Sequence, residues 1–275
     1  MLKIALACSL AFLLGGCAVI PTPQERQAHA DALTAAQGWQ SQRIASGRFE
    51  LIAYLPRDMK PAQTLSIYIE GDGFAWLAAS TPSADPTPRE PLALKLALAH
   101  PEGNAVYLAR PCQYVDAART GCAQRYWTEQ RFAPEVVAAM DEAVNILKAR
   151  TGATRLMLVG YSGGGNIAAL LAARRPDVAR LVTVAGNLDH AAWTAHHRVD
   201  SLSGSLNASA TAEQLAGLPQ THFIGARDRV IPPALAQHWP VSMAGPRQSN
   251  LRIIADFDHT CCWAERWPGL APKPD

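Results

Sequence analysis

A serine between two glycines is the best candidate nucleophile in this sequence. Ser162 lies in the pattern Gly160-x-Ser162-x-Gly164, after a short apolar run and before a stretch rich in alanine and leucine. This order predicts a buried strand, a tight turn and a helix, the arrangement of a nucleophile elbow, with the hydroxyl held clear of the sheet. The glycines would let strand and helix approach closely, and the N–H of Gly163 would point at a developing oxyanion. The alternative is a glycine-rich turn in which Ser162 only caps the helix.

Strands and helices alternate along the chain on both sides of this turn. Short apolar or β-branched runs predict the strands, and amphipathic or alanine-rich stretches predict the helices. Strands are predicted at 49–55, 64–70, 104–109, before Ser162, and at 180–185, 220–224 and 250–254; helices at 91–100, 134–150, after Ser162 and at 232–239. Such alternation predicts an α/β fold, with one mostly parallel sheet and helices on both faces.

The turn around Ser162, the order of the strands and the positions of the motifs resemble the α/β-hydrolase fold over about residues 48–270. Within that fold the chain resembles uncharacterised lipoprotein hydrolases of proteobacteria, which would leave the substrate open. The resemblance implies a hydrolase domain at 45–275 with a short insert at 187–210, after a tether and N-terminal segment at 17–44. It also implies a catalytic triad in the chain order serine, acid, histidine.

The resemblance assigns the other two members of that triad. Asp228, in the stretch 225–232, resembles the family's acid turn, and its carboxylate would orient the histidine and stabilise the imidazolium. His259 follows the last predicted strand, which is the family's position for the base. Two alternatives stay open: Asp189, after an earlier strand, could be the acid, and Asp228 could instead cap the helix at Pro232.

Six of the other histidines match the position of the base less well. They lie in the tether, at a helix end, inside a strand, on a helix face and in the insert: His29, His100, His222, His238, and the pair His196 and His197. The adjacent pair could ligate a metal, but it has no acidic or cysteine neighbour, so we interpret it as solvated and expect no metal site and no cofactor.

The loop at 70–73 would complete an oxyanion hole together with the N–H of Gly163. It resembles the family's His-Gly-x-Gly sequence, with glutamate in place of histidine. We assign the second N–H donor to Asp72, with Gly73 as the alternative. The Asp72 carboxylate would oppose an oxyanion unless it is turned away or paired, for which Arg110 is a candidate. A plain glycine-rich turn is the other interpretation of this loop.

Two longer segments, at 76–89 and 187–207, are placed to shape a substrate pocket around the serine. A further group follows another predicted strand and is interpreted as solvated surface, the alternative being contact with an acidic group: Arg119, Arg125, Trp127 and Arg131.

Residues 1–16 are expected to be a signal peptide rather than part of the fold. The basic Lys3 is followed by an apolar run at 4–14 that is too short to span a bilayer as a helix. The sequence Leu14-Gly15-Gly16-Cys17 resembles a bacterial lipobox, which implies cleavage before Cys17 and acylation of its sulfur. Alanine after the cysteine implies the outer membrane, facing the periplasm. The alternative is an ordinary secretory signal.

The segment after Cys17 and the overall charge limit the structures and binding functions that the mature chain can have. Prolines and polar residues predict a tether followed by an amphipathic helix near 24–37, or else a disordered tail. Without Lys3, 24 Lys and Arg residues face 23 Asp and Glu residues. This balance argues against a nucleic-acid-binding surface and against a polybasic membrane surface. It leaves the oligomeric state open.

Four cysteines remain after Cys8 is removed with the signal and Cys17 is acylated: Cys112, Cys122, Cys261 and Cys262. An exported chain meets an oxidising compartment, so these cysteines are expected to pair. In the family's strand order the two regions lie several strands apart, which favours Cys112–Cys122 over cross-pairing. The adjacent cysteines then form a vicinal disulfide or stay as thiols, and we favour the disulfide.

Together these residues predict a membrane-anchored serine hydrolase that works through an acyl-enzyme, with carboxylic esters as the default substrate. Thioesters and peptides are alternative substrates. An envelope binding protein on a non-catalytic hydrolase scaffold is the alternative class of function. The expected partners are a small acyl substrate and a membrane, through the lipid anchor.

Overall fold

The computed structural model describes residues 20–117, 121–236 and 249–273. Its strands are β1 (Trp39–Ser46), β2 (Phe49–Pro56), β3 (Thr64–Ile69), β4 (Trp76–Ala78), β5 (Thr81–Pro82), β6 (Asn104–Leu108), β7 (Arg155–Tyr161), β8 (Val178–Val184), β9 (Gln220–Gly225) and β10 (Ser249–Ile254). Its helices are α1 (Pro23–Ala35), α2 (Leu92–Leu98), α3 (Pro134–Thr151), α4 (Gly163–Ala172), α5 (His190–His197), α6 (Ala212–Leu215), α7 (Pro233–Ala236) and α8 (Trp263–Leu270).

The central sheet has eight strands in the order β1-β2-β6-β3-β7-β8-β9-β10. β1 pairs antiparallel with β2, and β2 pairs antiparallel with β6. From β6 to β10 every neighbouring pair is parallel. β4 and β5 form a small separate hairpin. The predicted α/β fold with a mostly parallel sheet is confirmed.

Helices cover both faces of this sheet, which is why its central strands are apolar along their whole length. On one face α3 and α4 contribute Val137, Met140 and Leu170 to the core. On the other face α2 and α8 pack together, and Trp263 and Trp267 of α8 are fully buried there. The carboxyl ends of the parallel strands therefore meet at one edge, between two packed layers.

The N-terminal segment packs against the sheet. α1 corresponds to the helix predicted near 24–37, and it starts with a capping box in which Thr22 and Glu25 exchange hydrogen bonds. Tyr54 of β2 donates a hydrogen bond of 2.7 Å to Asp31 of α1. The predicted domain boundary between residues 44 and 45 is wrong, because it falls inside β1, which is paired with β2 over its whole length.

The signal peptide predicted at 1–16 and the lipidation site predicted at Cys17 lie outside the described residues. In the part of the chain that the structure describes, no helix is long and apolar enough to cross a membrane.

Two disulfides join the four cysteines in the pairing predicted from the sequence. Cys112 is bonded to Cys122 across a separation of ten residues, with 5.6 Å between their Cα atoms. Cys261 is bonded to its neighbour Cys262. The first closes a loop after β6, and the second lies between β10 and α8.

Candidate active site

The predicted elbow is present at the junction of β7 and α4. Ser162 has φ 50° and ψ −121°, a conformation that non-glycine residues rarely adopt and that lifts its side chain out of the sheet. A Cβ on Gly160 would overlap the Gly164 carbonyl oxygen, and a Cβ on Gly164 would overlap that of Ile69. Both glycines of the pattern are therefore required by the close approach of strand, helix and neighbouring strand.

The structure brings the three predicted triad residues together. The Oγ of Ser162 lies 3.1 Å from Nε2 of His259, and Nδ1 of the same imidazole lies 2.9 Å from Oδ2 of Asp228. The other oxygen of Asp228 accepts the N–H groups of Val230 and Ile231 at 2.8 and 2.7 Å. Asp228 is buried, and its carboxylate is held on both sides in a position that orients the imidazole.

The loop that carries His259 is fixed by its own hydrogen bonds. Asp258 accepts the N–H groups of Thr260 and Cys261 at 2.8 and 2.6 Å, and these bonds lower the pKa of its carboxyl. The indole of Trp263 donates to the Asp258 carbonyl at 2.9 Å, which ties the loop to α8. The phenol of Tyr161 donates to the carbonyl of His259 at 3.2 Å, so the residue before the serine also supports the histidine.

The predicted oxyanion loop lies against the elbow. A Cβ on Gly71 would be 3.2 Å from the Cβ of Ser162, and a Cβ on Gly163 would overlap the Asp72 carboxylate. Within the described residues, the N–H groups of Gly163 and Asp72 have no hydrogen-bond acceptor. The amide of Gln113, in the loop after β6, donates to the Gly71 carbonyl at 3.0 Å and holds the loop in place. Both predicted donors are thus free to bind an oxyanion.

The Asp72 side chain is paired with two guanidinium groups. Its Oδ2 lies 2.6 Å from Nη1 of Arg131, and its Oδ1 lies 3.5 Å from Nη1 of Arg110. Arg110 is the partner that the sequence suggested. Burial lowers the pKa of Arg110 to about 10, with Asp72 opposing the shift, so the group stays charged at neutral pH.

Arg131 is a functional residue that the sequence interpretation missed. The sequence predicts a solvated surface position for it, but its side chain is buried, and its Nε donates to the Thr128 carbonyl at 2.6 Å. Trp127 is also buried, and its indole donates to the Ser83 carbonyl at 3.1 Å. The solvated interpretation of these two residues is wrong, because the segment after β6 folds back over the oxyanion loop. Arg119 lies outside the described residues.

Glu70, which replaces the family's histidine, is a buried carboxyl beneath this loop. It accepts the N–H of Gly71 at 2.9 Å and that of Ala93 at 3.4 Å. Burial raises the pKa of Glu70 to about 7, and hydrogen bonds, chiefly those from the Gly71 and Ala93 N–H groups, only partly oppose the shift. The carboxyl is therefore partly protonated at neutral pH.

The alternative acid and the other histidines have different roles. Asp189 caps α5 by accepting the N–H groups of Ala191 and Ala192, so it does not orient His259. Near the site, His197 donates to the Val230 carbonyl at 2.8 Å. Away from the site, His100 is hydrogen-bonded to Tyr68 and Ser66, His222 to Thr183, and His29 faces Glu90. His238 lies outside the described residues.

A cleft of about 400 Å³ opens beside the serine. Both of the predicted pocket segments contribute to it: Trp76 and Arg89 come from the first and Trp193 from the second. Its walls combine these indole rings with charged side chains and with Ser162 and His259 at its base. Such a mixture suits a small ligand with an apolar part and a polar group.

Comparisons with known proteins support the α/β-hydrolase fold. Residues 118–251 match the sequence profile of the α/β-hydrolase fold family, a stretch that includes Ser162 and Asp228 but ends before His259. A search of curated proteins gave no significant match.

Solved structures share the fold over most of the chain. An esterase from Pyrococcus furiosus has a TM-score of 0.57 at 12% identity, covering 83% of this chain and 87% of that one. An α/β serine hydrolase homologue from Coxiella burnetii has a TM-score of 0.57 at 14% identity, covering 84% and 93%. A putative dienelactone hydrolase from Klebsiella pneumoniae has a TM-score of 0.53 at 18% identity, covering 82% and 89%. At these identities the structures are evidence for the fold alone. The profile match and these structures together show that this chain has the α/β-hydrolase fold.

Proposed function

We propose that this protein is a serine esterase that cleaves small carboxylic esters through an acyl-enzyme. The observation that carries the proposal is the unbroken hydrogen-bond chain from Ser162 through His259 to Asp228, built on a strained elbow. A serine hydroxyl is a weak nucleophile by itself, and a hydrogen-bonded imidazole activates it by accepting its proton. The free N–H groups of Gly163 and Asp72 beside it supply the complementary oxyanion site.

The first half of the reaction transfers the acyl group to the enzyme. Oγ of Ser162 attacks the ester carbonyl carbon while Nε2 of His259 takes the hydroxyl proton, and Asp228 stabilises the imidazolium that results. The negative charge on the tetrahedral intermediate is bound by the N–H groups of Gly163 and Asp72. When the intermediate collapses, the bond to the leaving oxygen breaks, and His259 gives its proton to the departing alkoxide.

The second half returns the enzyme to its starting state. Water enters where the alcohol left and loses a proton to His259 as its oxygen attacks the acyl carbon. The same two N–H groups bind the second oxyanion. Collapse breaks the bond to Ser162, which regains its proton from the imidazolium, and the carboxylic acid is released.

A fluorophosphonate probe tests the nucleophile without knowledge of the substrate. We expect the probe to label the wild-type protein and not Ser162→Ala, which should also lose esterase turnover while it keeps a wild-type melting temperature. Ser41→Ala, at an exposed serine on β1, is the matched control and should label normally. Full labelling of Ser162→Ala contradicts the mechanism. A wild-type protein that neither labels nor cleaves any ester would instead favour a binding protein on a hydrolase scaffold.

A panel of acyl esters of graded chain length, with matched thioesters and peptides, tests the substrate class. We expect turnover of short-chain esters, because the cleft beside Ser162 has room for a small molecule. Faster cleavage of the thioesters or peptides would replace the ester proposal and leave the triad mechanism intact.

The second part of the proposal is that the enzyme is a lipoprotein of the bacterial cell envelope, held at the outer membrane and facing the periplasm. It rests on the likeness of Leu14-Gly15-Gly16-Cys17 to a lipobox. Acylation of Cys17 would hold the catalytic domain at a membrane without any transmembrane helix.

A further inference from the structure

The cleft beside Ser162 contains an arginine that forms no salt bridge with the residues that the structure describes. Arg89 is exposed, and it lines the cleft together with Phe74, Trp76 and Trp193. Its guanidinium carbon lies 5.6 Å from the centroid of the Phe74 ring, within the range of a cation–π contact. This contact places the charge in the cleft without neutralising it.

The acidic groups on the same side of the cleft are taken by other cations. Glu90 follows Arg89 in the sequence, but its carboxylate lies 2.5 Å from Nζ of Lys95. Asp85 lies 3.2 Å from the buried guanidinium of Arg26. Each of these carboxylates thus has a closer cation than Arg89. The charge of Glu90, which also lines the cleft, is shared among several cations, and Arg89 forms no salt bridge with the residues that the structure describes.

The cluster around Asp72, which borders the cleft through Asp72 and Arg131, carries a further excess of positive charge. One carboxylate, Asp72, lies between two guanidinium groups, Arg110 and Arg131. Glu70 is buried at the cleft floor, where its raised pKa of about 7 weakens its negative charge at neutral pH. An anion that enters the cleft therefore meets two guanidinium groups in its lining, Arg89 and Arg131, while the carboxylate of Asp72 is paired with Arg131 and Arg110.

A guanidinium group that is held against an aromatic ring is well suited to bind an anion. Its planar fork matches a carboxylate or a phosphate with two parallel N–H···O bonds. The indoles of Trp76 and Trp193 in the same cleft offer apolar surface for the carbon chain between that anion and the ester. We infer that the substrate is an ester that also carries an anionic group, a carboxylate or a phosphate, which Arg89 binds while the ester carbonyl lies at Ser162. This inference rests on the proposed esterase function.

Matched esters of equal length test it. We expect wild-type kcat/KM to be at least about tenfold higher for para-nitrophenyl hemisuccinate than for para-nitrophenyl butyrate, which has a methyl group in place of the terminal carboxylate. In Arg89→Gln this preference should fall by about tenfold or more, mainly through a higher KM for the hemisuccinate. Arg89→Lys should keep part of the preference, because it keeps the charge and loses the fork. The corresponding ester of phosphonopropionate distinguishes a carboxylate site from a phosphate site. The anion that the site binds more tightly should show the larger fall in kcat/KM when Arg89 is replaced by glutamine.

Two further measurements keep the inference separate from the esterase proposal. Succinate should slow fluorophosphonate labelling of the wild type and not of Arg89→Gln, a readout that needs no ester turnover. Arg174→Gln, at an exposed arginine beyond the far end of α4, is the control and should keep the wild-type preference. If the wild type cleaves the butyrate ester and shows no anionic preference, or keeps its preference in Arg89→Gln, the anion site is disproved and the esterase stands. If the wild type cleaves neither ester and is not labelled by the fluorophosphonate, the esterase proposal is disproved, and the anion-site inference that rests on it is disproved with it.

Discussion

Asp72 places a carboxylate beside the turn that holds Ser162. Whether this carboxylate destabilises an oxyanion bound there depends on the two guanidinium groups that neutralise it. At about 4 Å and an effective dielectric near 20, two like charges repel by about 4 kcal/mol. Arg131 and Arg110 lie 2.6 and 3.5 Å from this carboxylate. The cluster as a whole is positive, so it favours the oxyanion that an isolated aspartate would oppose.

Removing the nearer guanidinium should expose that repulsion. We expect Arg131→Met to lower kcat by about 10- to 100-fold with a smaller change in KM, since the cost falls on the charged transition state. Steady-state kinetics on a neutral ester measure the two constants. Asp72→Asn added to Arg131→Met should recover much of kcat, because the neutral amide no longer needs a cation. A variant Arg131→Met with wild-type kcat, or a double variant no better than the single one, would show that the ion pair is only structural.

Glu70 should make the free energy of unfolding decrease as the pH rises. Its pKa rises from 4.5 to about 7 on burial, so its stabilising contribution is present below pH 4.5 and is lost as the pH rises through 7. We expect Glu70→Gln to remove this loss, so that the free energy of unfolding of the wild type falls relative to the variant by up to about 3 kcal/mol between pH 5 and 8. Urea denaturation at several pH values measures the difference. The control is Glu213→Gln, at an exposed position on α6, whose free energy of unfolding should change with pH as that of the wild type does. The same pH dependence in Glu70→Gln as in the wild type would refute the prediction.

The sequence predicts residues of the site that follow a local pattern and misses those that depend on distant contacts. Ser162, Asp228 and His259 each follow a strand that the sequence marks clearly, and the structure brings them within hydrogen-bond distance. Arg131 contacts Asp72 across a separation of 59 residues, and no local sequence pattern predicts a contact between two residues so far apart. Its burial depends on how the loop after β6 folds back, which is a property of the tertiary structure.

The elements around the elbow are set by backbone contacts as much as by side chains. The start of α4 presses against the carbonyl groups of Ile69 and Glu70, at the end of β3 and the start of the oxyanion loop. A side chain on Gly164 has no flexible neighbour that can move aside. The elbow, β3 and the oxyanion loop therefore behave as one rigid unit.

Gly164→Ala tests this unit directly. Its Cβ would overlap the Ile69 carbonyl oxygen, so the helix or the oxyanion loop must shift. We expect a loss of about 2–4 kcal/mol in unfolding free energy and a fall in fluorophosphonate labelling rate of at least about tenfold. Gly217→Ala is the matched control: an added Cβ there meets no atom within 4 Å, and it should change stability by no more than about 0.5 kcal/mol. Equal stability and labelling of the two variants would contradict the close-approach argument.

Element prediction succeeded where strands are apolar on both faces and failed at the β1 edge of the sheet. β7 is an apolar run between turn signals, and α3 begins at the predicted proline. β1, with the sequence Trp-Gln-Ser-Gln-Arg-Ile-Ala-Ser, is an edge strand with few apolar residues, and it becomes a strand through its pairing with β2. The interpretation of this region as tether and helix missed β1 because its stabilisation comes from a partner rather than from its own composition.

At the scale of the whole molecule, α1 connects the N-terminal segment to the active-site cleft. Arg26 of α1 donates a hydrogen bond of 2.7 Å to the Thr87 carbonyl and forms a salt bridge with Asp85. Both partners lie in the segment that ends at the cleft residue Arg89. Five residues separate Cys17 from Pro23, the first residue of α1. Fully extended, that link spans about 20 Å. An acyl chain on Cys17 would therefore hold α1, and the side of the domain that carries this cleft wall, close to the bilayer.

The anchor is tested by exchanging one cysteine at a time in a bacterial host. We expect the wild type to sediment with membranes and Cys17→Ser to appear in the soluble fraction or as an unprocessed, larger chain, because lipobox processing requires the cysteine sulfur. Cys8→Ser, a cysteine in the same apolar run but outside the lipobox, is the control and should sediment like the wild type. Released Cys17→Ser should keep its fluorophosphonate labelling, since the triad and the cleft lie wholly within the described domain. A Cys17→Ser protein that sediments and migrates like the wild type would remove the lipid anchor from the proposal and leave the esterase mechanism in place.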